Sequence, residues 1–130
     1  MTMVVGARAT FCAGHRLPQH QEVHGHSYEV WGYARDGRDV EVLQRDLAAA
    51  CRLLDHRMLN EIIPDPTMEA IARFVAARVD GLARVVVARP VEGFACEYDG
   101  DADAGPARRP AARAGTVLEE AAGGDEYAGA

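Results

Sequence analysis

The alternation of side-chain types over residues 23–33 is the feature that most constrains the fold of this chain. In a β-strand, side chains two positions apart lie on the same face. A strand over this segment has His24, His26, Tyr28 and Val30 on one face and Glu29, Trp31 and Tyr33 on the other. Both imidazoles then project from one side, with only Gly25 between them. We therefore expect a sheet with a pair of converging histidines on one face.

The paired histidines have the spacing of metal ligands. A His-x-His pair alone is also compatible with ordinary surface or core histidines. His15 lies upstream and supplies a third imidazole. Three neutral nitrogens that leave one tetrahedral position open are typical of catalytic zinc (Zn2+), although iron, copper and nickel also accept imidazole. We predict a metal site at His15, His24 and His26.

Periodicity predicts three further strands. Apolar and other residues alternate over residues 5–11, which is typical of a half-buried strand. Residues 84–88 and 94–98 are predicted to form the last two strands. Asp36-Gly37 predicts a turn after the second strand.

Two helices are predicted between the second and third strands. Asp39 is the predicted N-cap of the first helix. Its apolar stripe is formed by Val40, Leu43, Leu47, Cys51 and Leu54. The second helix is predicted to have Asp65 as N-cap, Pro66 at its first position and Gly81 beyond its end. Its apolar side is formed by Ile71, Ala72, Val75 and Val79.

This order of elements predicts an α+β fold. The expected architecture is one antiparallel sheet of four strands in ββααββ order, with both helices packed on one face. Residues 1–98 are expected to form this domain. Such a sheet leaves two edges whose backbone hydrogen-bonding groups lack partners.

Composition limits the partners and the location. A chain of 130 residues fits one domain with one modest core. The formal charge of −6 and the absence of a basic cluster argue against nucleic acid as a partner. No apolar run approaches the ~20 residues of a membrane helix, and no signal peptide is visible. We expect a cytoplasmic protein that acts on a small-molecule substrate, without membrane association.

The three cysteines, Cys12, Cys51 and Cys96, form no C-x-x-C pair and are odd in number. A disulfide framework is therefore not expected, in agreement with a reducing cytosol. All three thiols are predicted to be small core residues.

Residues 99–130 differ in composition from the predicted domain. Half of them are Ala or Gly, and only Val117, Leu118 and Tyr127 are large and apolar. This is too little apolar surface to offset the entropy cost of ordering the segment. We predict a mobile acidic tail. The alternative is a short helix over residues 116–122 that docks on a neighbouring subunit.

Four motifs lie in a fixed order along residues 4–98. They are Phe11-x-Ala13-x-His15-Arg16-Leu17, His24-Gly25-His26-Ser27-Tyr28, Leu54-Asp55-His56-x-x-Leu59-Asn60 and Pro66-Thr67-x-Glu69. In this order they resemble the family of 6-pyruvoyl tetrahydropterin synthases and 6-carboxytetrahydropterin synthases, the latter of the queuosine pathway.

The resemblance implies the tunnelling fold, or T-fold. In that fold three subunits join their sheets edge to edge into a barrel, two trimers stack into a homo-hexamer, and active sites lie at subunit interfaces. Closure of the barrel would also remove the exposed edges of the four-stranded sheet.

The resemblance also implies a zinc-dependent carbon-oxygen lyase. In the family the metal binds oxygens of the pterin side chain, and a side-chain base removes a proton from an adjacent group. Asp55 and His56 match the family's Asp-His pair for proton transfer. The alternative for this pair is that the end of a helix favours a positively charged His56.

The chain departs from the family at the catalytic cysteine. That cysteine lies a few residues before the His-x-His motif, and residues 16–23 contain none. His20 and Glu22 are the candidate replacement bases. His20 lies where the bacterial carboxy-type enzymes have Cys, and relatives that resemble folate-pathway enzymes have Glu near this place.

The second departure concerns the substrate pocket. The family holds the pterin ring with a Glu at the end of the third strand, where this chain has Arg89. Arginine cannot accept hydrogen bonds from the ring's N–H groups. Leaving such buried groups unpaired costs about 1–3 kcal/mol each. Glu92 can replace the anchor if the loop is shifted, and Thr67 and Glu69 match the family's pocket segment.

Three functions remain open on this basis. The first is a zinc lyase that acts on a pterin side chain of the dihydroneopterin triphosphate type, by elimination or C–C cleavage. The second is a lyase, aldolase or cyclase of the same fold that takes a non-pterin anionic substrate through Arg89. The third is a hexamer that binds without turnover.

Overall fold

The computed structural model describes residues 3–35 and 37–100, which form a four-stranded sheet and two α-helices. The strands are β1 (Val4–Leu17), β2 (His20–Arg35), β3 (Leu82–Arg89) and β4 (Phe94–Asp99). The helices are α1 (Val40–Arg52) and α2 (Met68–Arg78), and a 3-10 turn at Leu59–Glu61 lies between them. Neighbouring strands are antiparallel, and the order across the sheet is β1-β2-β3-β4. The predicted α+β fold is confirmed.

Two sequence predictions fall partly outside this range. The tail predicted for residues 99–130 lies outside the described residues from position 101 onward, and β4 itself reaches Asp99. Asp36 of the predicted turn is likewise outside, while Gly37 has a φ of 87°, a left-handed conformation that favours glycine. Among the described residues, no helix is long and apolar enough to cross a membrane.

β1 and β2 form a long hairpin whose far end carries the histidines. The register pairs His15 with His24 and Ala13 with His26. The alternation of apolar residues predicts β1 only as far as residue 11, whereas the strand continues to Leu17. The extension has small residues at Cys12, Ala13 and Gly14, followed by two polar residues, His15 and Arg16, so it lacks the alternation of large apolar residues and periodicity alone misses it.

The outer edge of this extension is held by the segment that follows α1. The backbone N–H of His56 donates to the carbonyl of Cys12 (2.6 Å), and that of Gly14 donates to the carbonyl of Arg57 (3.0 Å). The side-chain amide of Asn60 bonds both the N–H and the carbonyl of Arg16, at 2.8 and 3.0 Å. The Leu-Asp-His-x-x-Leu-Asn motif therefore acts as a short substitute strand along β1.

α1 begins as predicted. The carboxylate of Asp39 accepts from the N–H groups of Glu41 and Val42, at 2.8 and 3.3 Å. Four predicted stripe residues are buried, namely Leu43, Leu47, Cys51 and Leu54. The prediction for Val40 is wrong, because 46% of this residue is exposed. Val40 is the first helical residue, and side chains tilt towards the helix N-terminus, so it points past the start of the helix.

The predicted start of α2 is wrong. The helix begins at Met68, and Thr67 is its N-cap, with the Thr67 hydroxyl accepting from the N–H of Ala70 (3.2 Å). Pro66 therefore lies before the cap and not in the first turn. Both Asp65 and Thr67 carry N-cap side chains, and the buried position of Pro66 against His15 selects the later one. Gly81 lies beyond the helix end as predicted, with a φ of 77°.

Both helices cover one face of the sheet, α1 against β1 and α2 against β3 and β4. The alternation predicted for β2 is confirmed, because Tyr28 and Val30 are buried in the core while Glu29, Trp31 and Tyr33 lie on the open face, only partly buried. The predicted apolar side of α2, namely Ile71, Ala72, Val75 and Val79, is buried as well. The core therefore lies between this face and the helices, and the histidines extend it at one end.

The prediction that every cysteine is a core residue is wrong for Cys12. Cys51 is buried and Cys96 is half-buried, whereas Cys12 is exposed. Cys12 lies between Phe11 and Ala13, which face the core, so the alternation of the strand turns its thiol to the open face. There the Cys12 sulfur lies 3.4 Å from the hydroxyl of Ser27.

Candidate metal centre

Three histidines converge where the hairpin extends beyond the core. His15, His24 and His26 each offer one ring nitrogen, and these nitrogens all lie within 4.8 Å of one another. The Nε2 atoms of His15 and His24 are 3.1 Å apart. Two ligands at ~2.0–2.1 Å from one tetrahedral metal ion would be separated by roughly 3.3 Å. The 3.1 Å between the Nε2 atoms of His15 and His24 is close to this value.

The second nitrogen of each ring is held by a hydrogen-bond acceptor. His15 Nδ1 donates to the carbonyl of Pro66 (3.1 Å), and His24 Nδ1 donates to the carbonyl of Glu22 (2.8 Å). His26 Nδ1 donates to the carboxylate of Glu92 (3.2 Å). A carbonyl or carboxylate oxygen can only accept, so the protons of all three neutral rings are on Nδ1.

This tautomer leaves three Nε2 lone pairs directed at one point. His15 is 2% exposed, and within the described part of the chain Nε2 of His26 is buried without a hydrogen-bond partner. Converging acceptors without a donor are unfavourable unless a cation or a proton lies between them. Outer acceptors that fix Nδ1 are the usual support of metal-binding histidines. The residues therefore fit a Zn2+ ion.

The electrostatics favour the neutral form of His15 and His26, the form that metal ligation requires. Burial lowers the pKa of His15 below its ordinary value, and charge on His24 and His26 lowers it further, against the opposing effect of the Pro66 carbonyl. Burial, followed by the charge of Arg89, also lowers the pKa of His26, although Glu92 acts in the other direction.

Glu92 connects the histidines to Arg89. One carboxylate oxygen accepts from His26, and the other lies 3.5 Å from Arg89 Nε. Partial desolvation acts the other way, but the His26 hydrogen bond and the Arg89 charge together lower the pKa of Glu92. The anchor role predicted for Glu92 stays a prediction, and the geometry gives this carboxylate a second task in orienting His26.

The two candidate bases lie at the start of β2. The ring of His20 packs against that of His24, with centroids 4.5 Å apart. Glu22 contributes its backbone carbonyl to His24, and its side chain is exposed. The structure therefore places the His20 ring against His24 of the histidine cluster and leaves the Glu22 carboxylate on the surface.

Asp55 and His56 occupy a different place, on the outer edge of β1. Asp55 accepts from the N–H of Cys12 (3.0 Å) through one oxygen and pairs with His56 Nδ1 (3.0 Å) through the other. The His56 side chain is 83% exposed, and its φ of 59° is unusual for a non-glycine residue. The Asp55 carboxylate thus fixes the ring so that Nε2 is available to a proton donor or acceptor.

His56 lines a cavity of about 450 Å³ on the open face of the sheet. Its neighbours in the cavity include Cys12, Ser27 and Arg57, and the paired glycines Gly14 and Gly25 leave space at its centre. The side chains of Cys12 and Ser27 belong to the face opposite the three histidines. His26 also lines this cavity, whereas His15 and His24 do not, so in one chain His56 shares the cavity with one of the three clustered histidines.

The remaining predicted site residues lie near α2. The Thr67 hydroxyl caps the helix, and Glu69 is exposed in its first turn. Their predicted contact with substrate stays a prediction. Sequence reasoning missed two groups here, the carbonyl of Pro66 that holds His15 and the buried hydroxyl of Tyr28. The second was detectable, because Tyr28 follows His26 by two positions on the same strand face.

The fold and the histidine cluster define an α+β protein of the T-fold class with a candidate three-nitrogen metal centre. Residues 5–92 match the sequence profile of 6-pyruvoyl tetrahydropterin synthase. The chain belongs to the 6-pyruvoyl tetrahydropterin synthase family.

Two curated relatives are each similar over about 80 residues. The chain is 34% identical to a dihydroneopterin monophosphate aldolase of Pyrococcus furiosus, over 55% of this chain and 70% of the relative. It is 33% identical to an Archaeoglobus fulgidus protein provisionally named 6-carboxy-5,6,7,8-tetrahydropterin synthase, over 53% of this chain and 69% of the relative.

Solved structures support the fold. The 6-pyruvoyl tetrahydropterin synthase of Caenorhabditis elegans superposes with a TM-score of 0.63 at 18% identity, over 77% of this chain and 96% of that one. An uncharacterised protein of Wolinella succinogenes gives a TM-score of 0.61 at 13% identity, over 77% of this chain and 99% of that one.

Proposed function

We propose that this chain is a zinc-dependent lyase that cleaves a C–C bond in the side chain of a dihydropterin, as an aldolase of the dihydroneopterin phosphate type. The observation that carries the proposal is the convergence of three Nε2 atoms whose Nδ1 partners are all acceptors. The name of the Pyrococcus relative and the missing family cysteine favour aldol cleavage over the elimination carried out by pyruvoyl-type enzymes.

The proposed reaction needs a Lewis acid and a base. Zinc held by His15, His24 and His26 would polarise an oxygen of the substrate side chain. In a retro-aldol cleavage between the first and second side-chain carbons, the base removes the proton from the second hydroxyl. The second carbon and its oxygen leave as an aldehyde, and the electron pair of the broken C–C bond passes into the C=N bond of the ring next to the first carbon. A proton then adds to the first carbon, and the pair returns to the C=N bond. The ring product is a 6-hydroxymethyl dihydropterin.

His20 is the better-placed base of the two candidates. Its ring already packs against that of His24, and imidazole is the side chain that most often acts as a general base. The Glu22 carboxylate would have to turn inward from the surface. We assign proton removal to His20 and retain Glu22 as the alternative.

Asp55 and His56 enter the proposal through a second subunit. In one chain His56 borders a cavity that His26 lines but His15 and His24 do not, so the pair is not placed beside all three histidines. A homo-hexamer with active sites at its interfaces would let the pair of one subunit serve the metal centre of another. His56 would then return the proton to the product, with Asp55 holding its ring.

The test is to measure zinc content and turnover together. The purified protein should hold about one zinc per chain and convert dihydroneopterin monophosphate to the 6-hydroxymethyl product, detected by chromatography. His24→Ala should lose both zinc and turnover, whereas His56→Ala should keep zinc and lose turnover. Full zinc occupancy in His24→Ala, or no conversion by the zinc-loaded protein, would contradict the proposal.

One observation favours a second candidate function. Arg89 lies where the family binds the pterin ring with a carboxylate, and its guanidinium suits an anionic, non-pterin substrate. In that case the zinc-loaded protein should fail to bind dihydropterins, and Arg89→Glu should restore their binding. Titration with dihydroneopterin, followed by its fluorescence, distinguishes the two functions.

A further inference from the structure

We infer that Arg89 and Tyr28 form a subsite for a phosphate monoester beside the metal centre. The inference rests on the proposed function for the bound divalent ion and for the identity of the whole substrate. The chemistry of the subsite itself follows from the placement, the hydrogen-bonding state and the charge of these two side chains.

Both side chains lie on the face that carries the histidines. The register pairs Glu29 with Ala88 and Val30 with Val87, so its continuation by one residue sets Tyr28 opposite Arg89. Val85 and Val87 face the core, and Arg89 follows them at even spacing on β3. The ring of Tyr28 is 5.9 Å from that of His26, which places the pair next to the metal cluster.

Both side chains have buried polar atoms that need an acceptor. Within the described residues, the hydroxyl of Tyr28 and Nε of Arg89 are buried without a hydrogen-bond partner. A phenol carries its proton at neutral pH and is therefore a hydrogen-bond donor. Two neighbouring donors without acceptors, one of them charged, are the chemistry that binds an anionic oxygen.

Neighbouring groups hold Arg89 at the mouth of this subsite. Its guanidinium lies over the ring of Phe94, 5.3 Å from the centroid, and Phe94 pairs with Arg89 across β3 and β4. Glu92 contacts Arg89 Nε at 3.5 Å, outside hydrogen-bond geometry, and uses its other oxygen for His26. An anion can therefore accept hydrogen bonds from the guanidinium while Glu92 keeps its hydrogen bond with His26.

Charge balance selects the class of anion. The opposite charges of Arg89 and Glu92 cancel, so a divalent ion on the neutral histidines would leave two positive charges uncompensated. A phosphate monoester, which is close to a dianion at neutral pH, matches this excess better than a carboxylate with a single charge. The expected ligand group is thus the phosphate of a phosphorylated side chain.

The test uses the full-length, zinc-loaded protein and titration calorimetry with inorganic phosphate. Arg89→Gln should weaken phosphate binding by at least about tenfold, because a charged hydrogen-bond donor is lost. Tyr28→Phe should weaken it about threefold by the same reasoning. The matched control is Arg84→Gln, because Arg84 lies on β3 but packs over Tyr33 on the open face. The control should bind phosphate as the unmodified protein does.

Acetate titrated in parallel tests the class of anion. Phosphate affinity unchanged by Arg89→Gln, or acetate bound as tightly as phosphate, would overturn the inference. A kinetic comparison adds a second readout: Arg89→Gln should raise KM for dihydroneopterin monophosphate and leave that for dihydroneopterin unchanged.

The inference and the proposed function can fail separately. Phosphate binding that depends on Arg89, in a protein that converts no dihydropterin, would support the subsite and contradict the proposed function. Turnover of dihydroneopterin monophosphate with phosphate binding that does not depend on Arg89 would overturn the subsite alone.

Discussion

Among single residues, Glu92 is a carboxylate outside the predicted ligand set that orients one histidine of the candidate metal centre. It accepts from His26 Nδ1 and so fixes both the tautomer and the orientation of that ring. Such outer-shell partners typically contribute ten- to a hundredfold to metal affinity. The role assigned to Glu92 is therefore measurable without any knowledge of the substrate.

We expect Glu92→Ala to weaken zinc binding about tenfold or more, because the His26 ring loses its acceptor. Competition with a fluorescent zinc chelator measures the change. Glu97→Ala is the matched control, since Glu97 lies on β4 and pairs with Arg84 away from the histidines. Equal zinc affinity in Glu92→Ala and the control would show that the His26 contact does not orient the ligand.

The lowered pKa values of His15 and His26 predict how the zinc-free protein responds to acid. Both folded-state values lie below the ordinary value of 6.5, so the unfolded chain binds more protons below about that pH. The free energy of unfolding should therefore fall as pH drops from about 6.5 towards the folded-state values. The free energy of unfolding stops falling at the pH where His15 and His26 are protonated in the folded chain as well.

Thermal unfolding in chelator, followed from about pH 7.5 to 5, measures this loss. His15→Gln should reduce the pH dependence, because one of the buried titrating rings is removed. A stability that rises with acidity over this range would contradict the prediction.

At the scale of elements, the start of α2 links the helix to the metal centre. Thr67 caps the helix through its hydroxyl, and the preceding Pro66 presents its carbonyl to His15. The cap at Thr67 therefore sets the position of the Pro66 carbonyl, which orients His15. Had the helix begun at Asp65, the Pro66 carbonyl would have been used within the helix.

Thr67→Ala should lower the free energy of unfolding by about 1 kcal/mol, the typical value of an N-cap. Asp65→Ala should have a smaller effect, because Asp65 is exposed and precedes the cap. Urea denaturation of both variants measures the difference. A larger loss in Asp65→Ala would place the functional cap at Asp65 after all.

For the whole molecule, two observations favour assembly. His56 shares a cavity with His26 but not with His15 and His24, so one chain does not place it beside all three histidines. The sheet also ends in β4 and in the part of β1 before Cys12, whose outer edges would be satisfied by neighbouring copies. We propose a homo-hexamer of 14.0 kDa chains, and deletion of residues 101–130 should leave it intact.

Mixing two inactive variants tests whether active sites are shared between subunits. His24→Ala lacks a metal ligand and His56→Ala lacks the proton-transfer group, so each alone should be inactive. After subunit exchange, some interfaces combine an intact metal centre with an intact Asp55-His56 pair, and activity should return. Light scattering gives the mass, and a monomer, or a mixture that stays inactive after exchange, would contradict the shared site.

Local sequence patterns were sufficient to predict the fold class and which strand face carries His24 and His26. Alternation on β2 placed His24 and His26 on one face. The apolar stripe of α1 and the apolar side of α2 predicted which helix faces are buried. Both kinds of pattern depend only on local backbone geometry. The hydrogen bonds that orient the histidines, in contrast, join residues that are distant in the chain. Pro66 reaches His15 across 51 positions and Glu92 reaches His26 across 66, contacts that no local pattern encodes. The length of β1 likewise depends on the pairing of its outer edge with residues 56–60, because a strand continues wherever its backbone groups find partners.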